Sequence, residues 1–148
     1  MEPLDVQTER QRRFSLAAKA AGPVRHGQIF SSHALLIEID VRRAYCAGAW
    51  ISVIVLACTA VEAQARQVAT QDYSVRMQVL FGEDPDLQWL RAIRNEIIHA
   101  AEPGTPSLIW KVDGADIGEN HAALEPEATR AVEVMFKSVY RQSRRPSV

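Results

Sequence analysis

The feature that most constrains the fold of this chain is the stretch Cys46–Val61, which contains no charged side chain. It falls short of the roughly 20 apolar residues that a membrane span needs, and Glu62 and Arg66 follow it directly. Gly48 marks a turn near its start, so an apolar helix is expected over about residues 49–68. We therefore predict a central helix buried in a bundle, and no membrane span.

Start and stop signals divide the rest of the chain into further helices. Serine before an apolar run caps a helix, Asp-Pro opens one, and Gly-Pro or Pro-Gly ends one. These signals predict five helices: Leu4–Ala21, Ser31 or Ser32 to Tyr45, residues 49–68, a helix from Asp84-Pro85 to before Pro103-Gly104, and Pro126–Arg144. The side chains of the last helix that are predicted to face inward are Ala128, Val132, Met135, Phe136 and Val139.

Three intervals are locally ambiguous. Residues 71–82 fit a short helix, and Leu35–Val41 alternates enough to be a strand. The irregular region Ser107–Gly118 allows an extended piece at Leu108–Val112. Helices nevertheless dominate, so the sequence predicts an all-α, up-and-down bundle of four to five helices.

The bulk composition is that of one ordinary globular domain. The 148 residues are 47% hydrophobic and 24% charged, which suffices for a single core without disulfides or metal. The net charge of −1 excludes the global basic field that drives nonspecific DNA binding. Cys46 and Cys58 lie in apolar surroundings and are predicted to be buried thiols. Because Met1–Asp5 lacks the basic and apolar regions of a signal peptide, we expect a cytoplasmic protein.

A helical spacing pattern places side chains suited to phosphate chemistry on the stretch Leu90–His99. At about 100° per residue, one apolar arc is formed by Leu87, Leu90, Ile93, Ile97 and Ile98. Asn95 and His99 are an i,i+4 pair on one face, and Arg94 lies at the rim of the arc. A cation, an amide and a titratable imidazole on two helical turns are the groups needed to hold and cut a phosphodiester.

Each of these three residues suits a step of RNA cleavage by the 2′-hydroxyl. An imidazole can act as general base or acid, and this is the role that His99 could take. Arg94 offers a fork of donors to phosphate oxygens, and Asn95 can orient the imidazole or donate to the phosphate. This chemistry needs no cofactor and no metal, and the sequence has no carboxylate–histidine cluster with metal-ligand spacing. An alternative stays open in which Arg94 only forms a surface ion pair and His99 only caps the last turn.

Two further residues are candidates for supporting this group. Glu62 follows the apolar helix closely, so a partly buried carboxylate there could pair with Arg94 or position it. An i,i+4 ion pair with Arg66 on the same helix is the plainer account. Arg91, one turn before Arg94 and Asn95, is the second supporting residue.

The remaining aromatic and histidine residues have more ordinary explanations. Three histidines without helical partners are expected in loops or at the surface: His26, His33 and His121. Three tryptophans could stack on bases, although packing in the core or an interface is favoured for each: Trp50, Trp89 and Trp110.

The motif residues carry a resemblance to the HEPN superfamily (higher eukaryotes and prokaryotes nucleotide-binding). Arg94-Asn95-Glu96-Ile97-Ile98-His99 matches the family's Arg-polar-x-x-x-His signature. The segment Tyr45–Ala63 is similar to the paired-helix segment of many such domains, on Tyr45-Cys46-Ala47-Gly48-Ala49 and Ala60-Val61-Glu62-Ala63. The resemblance covers about residues 33–144. It predicts an N-terminal helix and loop extension at residues 1–30 and one globular HEPN-like helical domain at residues 31–148.

The resemblance implies an all-α domain of four or five helices, often dimeric. Many members are metal-independent endoribonucleases of toxin–antitoxin and other defence systems, and others bind RNA or act as scaffolds without activity. By position, Arg94, Asn95 and His99 occupy the family's functional places. One subfamily, paired with a nucleotidyltransferase antitoxin, has a tyrosine two residues after the histidine, where this chain has Ala101. We thus expect a homodimeric endoribonuclease acting on RNA, with a cognate antitoxin if it is a toxin, or alternatively a noncatalytic RNA-binding or scaffold domain.

Overall fold

The fold was established from a computed structural model, which describes residues 3–22, 28–68, 73–100, 103–111, 114 and 116–142. These residues form seven helices: α1 (Leu4–Ala20), α2 (Ser32–Cys46), α3 (Trp50–Val68), α4 (Tyr73–Glu83), α5 (Pro85–His99), α6 (Ile117–Ala122) and α7 (Glu125–Gln142). His26 and Ala101 lie outside the described residues. The predicted all-α bundle is confirmed: α1, α2, α3, α5 and α7 are its five long helices, and α4 and α6 are short.

Local capping decides where two of the long helices begin. The Ser31 hydroxyl accepts a hydrogen bond from the Ala34 N–H at 3.2 Å and caps α2. The Asp84 carboxylate accepts from the Asp86 N–H at 2.9 Å, with Pro85 at the first position of α5. These caps confirm both predicted helix starts. Local sequence was enough to predict them, because each cap and its partner lie within one turn.

The two predicted extended pieces are not strands. Leu35–Val41 lies inside α2, whose buried positions Ala34, Val41 and Tyr45 follow helical spacing. The alternation of apolar residues suggested a strand with one buried face, but Leu35, Leu36 and Ile39 are exposed. No strand occurs in the ranges that the structure describes, and the part of Leu108–Val112 that it includes is an irregular segment.

Helix α3 is the central element of the bundle. It packs against α2, α5 and α7, and nine of its residues are buried: Trp50, Val53, Ile54, Ala57, Cys58, Ala60, Val61, Gln64 and Ala65. The fully buried Gln64 accepts from the Ser31 N–H at 2.8 Å and donates to the Ile29 carbonyl at 2.7 Å, which ties the entry of α2 to α3. By length and composition, α3 is the one described helix that could cross a membrane.

Helix α1 packs into the same core as the later helices. The Phe14 ring contacts Tyr45 and Phe136, with centroids 6.0 and 5.2 Å away. Arg10 donates to the Cys46 carbonyl at 3.3 Å, where α2 ends. The proposed boundary between residues 1–30 and the helical domain stays a prediction, but α1 is a structural part of the bundle.

Candidate functional site on α5

Helix α5 packs one side against the core and exposes two of its motif side chains. Leu87, Leu90 and Ile93 are buried, while Asn95 and His99 are exposed. Ile98 was expected on the apolar arc, but it is 52% exposed. It lies about 100° around the helix from the partly buried Ile97, beyond the edge of the packed surface. The exposed face therefore combines polar groups with one apolar side chain.

An ion pair between α3 and α5 fixes the position of Arg94. Its Nη2 lies 2.9 Å from Oε1 of Glu62, and the two side chains are only 15% and 25% exposed. Its Nε donates to Oδ1 of Asn95 at 3.0 Å. Glu62 thus contacts Arg94. From the sequence alone, Arg66 was the favoured partner of Glu62. A guanidinium held on two sides and partly shielded from water loses little further side-chain entropy when it binds an anion.

Cys58 lies beside this ion pair without reactive character. Its Sγ donates to Glu62 Oε1 at 3.6 Å. Burial raises the pKa of the Cys58 thiol to about 12, although the nearby Arg94 charge opposes the shift. The thiol is therefore neutral at physiological pH and does not serve as a nucleophile.

His99 lies at the exposed end of α5, separated from Arg94 around the helix. His99 follows Arg94 by five residues and Asn95 by four. At about 100° per residue, its side chain lies roughly 140° around the helix from that of Arg94 and 40° from that of Asn95. Within the described part of the chain, His99 makes no hydrogen bond or ion pair with either residue. In one copy of the chain, Arg94 therefore contacts Asn95 and Glu62. The His99 side chain does not contact this group.

Arg91 occupies the same exposed face one turn earlier. Its guanidinium carbon lies 5.0 Å from the centroid of the Phe81 ring on α4, a cation–π contact that joins α4 to α5. Arg91 and Asn95 are spaced i,i+4, so both point to the same side of the helix. Arg91 adds a second cation to the face that carries Asn95.

Sequence reasoning missed Glu96, which lies in the middle of the motif. Its carboxylate is 9% exposed and accepts three hydrogen bonds, from Ser107 Oγ at 2.8 Å, the Leu108 N–H at 2.7 Å and the Ile109 N–H at 3.2 Å. Glu96 therefore holds the segment that follows α5. The sequence does contain a signal for this role of Glu96. It is a lone carboxylate at the edge of the apolar arc, and a loop that contains Pro and Gly follows it within a few residues.

A groove borders the ion pair on the other side of Glu62. Its volume is about 500 Å³, and its polar lining includes His33, Thr59, Glu62 and Arg66 from α2 and α3. Among the residues that the structure places, no three histidine, cysteine or acidic side chains are grouped closely enough to hold a metal ion.

Comparison with known proteins leaves the site to be judged on its own geometry. No protein-family model, curated protein or solved structure matches this chain. The HEPN resemblance accordingly rests on residues 45–63 and 94–99, and the candidate site consists of the contacts among Glu62, Arg94 and Asn95 together with the exposed His99.

Proposed function

We propose that this protein is a metal-independent endoribonuclease of the HEPN type, which cleaves RNA by attack of a 2′-hydroxyl on the adjacent phosphate. The observation that carries the proposal is the Glu62–Arg94 ion pair between α3 and α5. It fixes a guanidinium at the edge of an exposed face that also presents Asn95 and His99. A phosphate bound there would meet the Arg94 cation and the Asn95 amide of one copy and, in a dimer, the His99 imidazole of the other.

Arg94 is the phosphate ligand in this mechanism. Its contacts with described residues use Nε and Nη2, so the two Nη1 donors are available to non-bridging oxygens. These donors stabilise the negative charge that gathers on the phosphorane in the transition state. Glu62 and Asn95 are positioning residues that set the plane of the guanidinium.

His99 is the proton-transfer group, and a second copy of the chain completes the site. An imidazole can both accept and donate a proton, which suits both deprotonation of the 2′-hydroxyl and protonation of the leaving oxygen. Because His99 and Arg94 diverge on one helix, a two-fold dimer through α5 would bring His99 of each copy toward Arg94 of the other. The exposed Ile98 between them supplies an apolar contact for such pairing.

The cleavage test uses purified protein and single-stranded RNA in EDTA. We expect products with 2′,3′-cyclic phosphate and 5′-hydroxyl ends, and none from His99→Ala. Products with 3′-hydroxyl ends, or activity only after addition of a divalent metal, would contradict the mechanism. In cells, expression that is toxic for the wild type and harmless for His99→Ala would support a toxin role, for which a cognate antitoxin and a cytoplasmic location are proposed.

A second candidate is a noncatalytic HEPN-like RNA-binding or scaffold domain. The specific observation in its favour is that Glu62 places a negative charge 2.9 Å from the guanidinium nitrogen of Arg94, which weakens the attraction for a phosphate. The net charge of −1 adds no long-range attraction for RNA. Retarded migration of RNA on a gel with no cleavage by either wild type or His99→Ala would favour this candidate.

A further inference from the structure

Trp110 differs from the other two tryptophans in its exposure. Trp50 is buried against Tyr45, and the Trp89 ring is covered by the Arg130 guanidinium at 4.0 Å. Trp110 was expected to pack as well, but it is 59% exposed. A large exposed indole on a short segment calls for a physical reason, because burying such a ring is strongly favourable.

The segment that carries Trp110 is firmly held. Leu108 and Ile109 pack against the core, and Glu96 binds both of their N–H groups. Ser107 Oγ accepts from the Trp110 N–H at 2.9 Å. The outward position of the indole is therefore set by a fixed backbone on its N-terminal side.

Asn120 of α6 fixes the same backbone on the C-terminal side. Its Nδ2 donates to the Ile109 carbonyl at 2.8 Å, and its Oδ1 accepts from the Lys111 N–H at 2.7 Å. The Lys111 ammonium in turn pairs with Glu127 of α7 at 2.9 Å. Trp110 thus lies between clamped neighbours, so stacking of another flat group on its ring requires little further ordering of the backbone.

The clamp also ties Trp110 to the candidate site. Glu96 precedes His99 by three residues, a rise of about 4.5 Å along α5. The N–H of Ile109 bonds Glu96 directly, and the Trp110 Cα is only about 3.8 Å further along the chain. The backbone that carries Trp110 is therefore bonded directly to the helix that carries His99, through the hydrogen bond that Glu96 accepts one residue before the tryptophan.

We infer that Trp110 is a base-stacking platform for single-stranded RNA, which receives a base of the strand that binds along α5. The substrate class rests on the proposed function, whereas the stacking site rests on the clamp. An exposed indole on a fixed backbone offers its π face to any base, so the contact favours single strands without selecting a sequence. The direct link through Glu96 to the helix that carries Arg94 and His99 favours RNA over a protein partner.

The test uses a 2′-O-methyl oligouridylate, which binds as a single strand but lacks the attacking hydroxyl. Tryptophan fluorescence should be quenched on titration, and Trp110→Phe should remove most of this quenching while changing Kd less than about threefold. Trp110→Ala should raise Kd about 5- to 150-fold, the range for loss of one stacked base. Trp89→Phe is the matched control for quenching, and Ile117→Ala, another exposed apolar side chain, is the control for affinity.

The outcomes separate this inference from the proposed function. Oligomer binding without change in Trp110 fluorescence, or with equal Kd for Trp110→Ala, overturns the stacking site even if RNA is cleaved. Absence of oligomer binding by the wild type at millimolar concentration also overturns it. Loss of a dimer in Trp110→Ala, measured by light scattering, would identify the ring as a protein contact instead. Stacking at Trp110 with no RNA cleavage in EDTA would leave the platform standing and refute the nuclease.

Discussion

The three motif residues of α5 have different structural surroundings, and their substitutions should separate accordingly. Arg94 belongs to a partly shielded ion pair, whereas Asn95 and His99 are exposed. A group that acts only in proton transfer contributes to the transition state, and a group that binds phosphate contributes to the ground state as well. Affinity and cleavage therefore report on different residues.

His99→Ala should abolish cleavage and leave RNA affinity within about twofold, while Arg94→Ala should lose both. Arg94→Lys should restore little, because a point charge does not reproduce the two-pronged guanidinium. Asn95→Ala should be intermediate, since Arg94 then loses one of its two positioning contacts. Initial cleavage rates and Kd by fluorescence anisotropy measure these effects.

Stability provides the control for this series. His99→Ala and Asn95→Ala should keep the melting temperature, since both side chains are exposed. Arg94→Ala should lower the free energy of unfolding by about 1–3 kcal/mol, because Glu62 is left with an unpaired charge. Equal loss of stability in all three variants, without any activity to lose, would favour a purely structural role for the motif.

At the scale of elements, one buried carboxylate joins α5 to the segment 107–111. Glu96→Ala leaves three donors without their acceptor, so it should destabilise the protein by about 2–4 kcal/mol in urea unfolding. Glu96→Gln keeps one acceptor oxygen and should cost less. The exposed Glu133 on α7 is the matched control, and Glu133→Ala should stay within about 0.5 kcal/mol of the wild type. A similar effect of the Glu96 and Glu133 variants would refute the clamp.

The turn between α2 and α3 depends on a glycine and on α1. Gly48 has φ 72°, and a Cβ there would lie 2.9 Å from Nη1 of Arg10, which also stacks on Trp50 at 4.8 Å. Gly48→Ala should therefore destabilise by about 2–3 kcal/mol, of which the left-handed backbone alone accounts for about 1–2 kcal/mol.

Gly22→Ala separates the two contributions to that cost. Gly22 has φ 97° and open space where a Cβ would be, so this variant carries backbone strain without a collision. In an Arg10→Ala background, the cost of Gly48→Ala should fall to that of Gly22→Ala, as measured in a double-mutant cycle by urea unfolding. If Gly48→Ala destabilised the protein equally with and without Arg10, contact with α1 would not contribute to the loss of stability.

At the scale of the whole molecule, assembly through α5 is the prediction that the mechanism most needs. Light scattering at micromolar concentration should give about 33 kDa, twice the 16.5 kDa of one chain. Ile98→Glu places charge in the proposed contact and should yield monomers that no longer cleave RNA. Leu36→Glu, on the equally exposed outer face of α2, should leave both mass and cleavage unchanged. The reverse result would place the interface on α2 and contradict the shared site.

Much of the fold follows from short-range patterns in the sequence. The starts of α2 and α5 depend on hydrogen bonds that Ser31 and Asp84 accept from N–H groups of the next turn, so local identity is sufficient to predict them. The inward face of α7 is equally local, because side-chain direction in a helix depends on the spacing of 3.6 residues per turn. The same patterns place Arg94, Asn95 and His99 on one helix before any tertiary contact is known.

Local patterns are therefore enough to predict the all-α class, the starts of α2 and α5 and the motif on α5. The pairing of Glu62 with Arg94, the clamp that Glu96 forms before Trp110 and the exposure of Ile98 could not be predicted in this way. Caps and periodicity involve neighbours along the chain, whereas the partner of a charged side chain depends on which helices pack side by side. Periodicity also marks where an apolar face can lie, but the covering helices decide which of its edge residues stay in water.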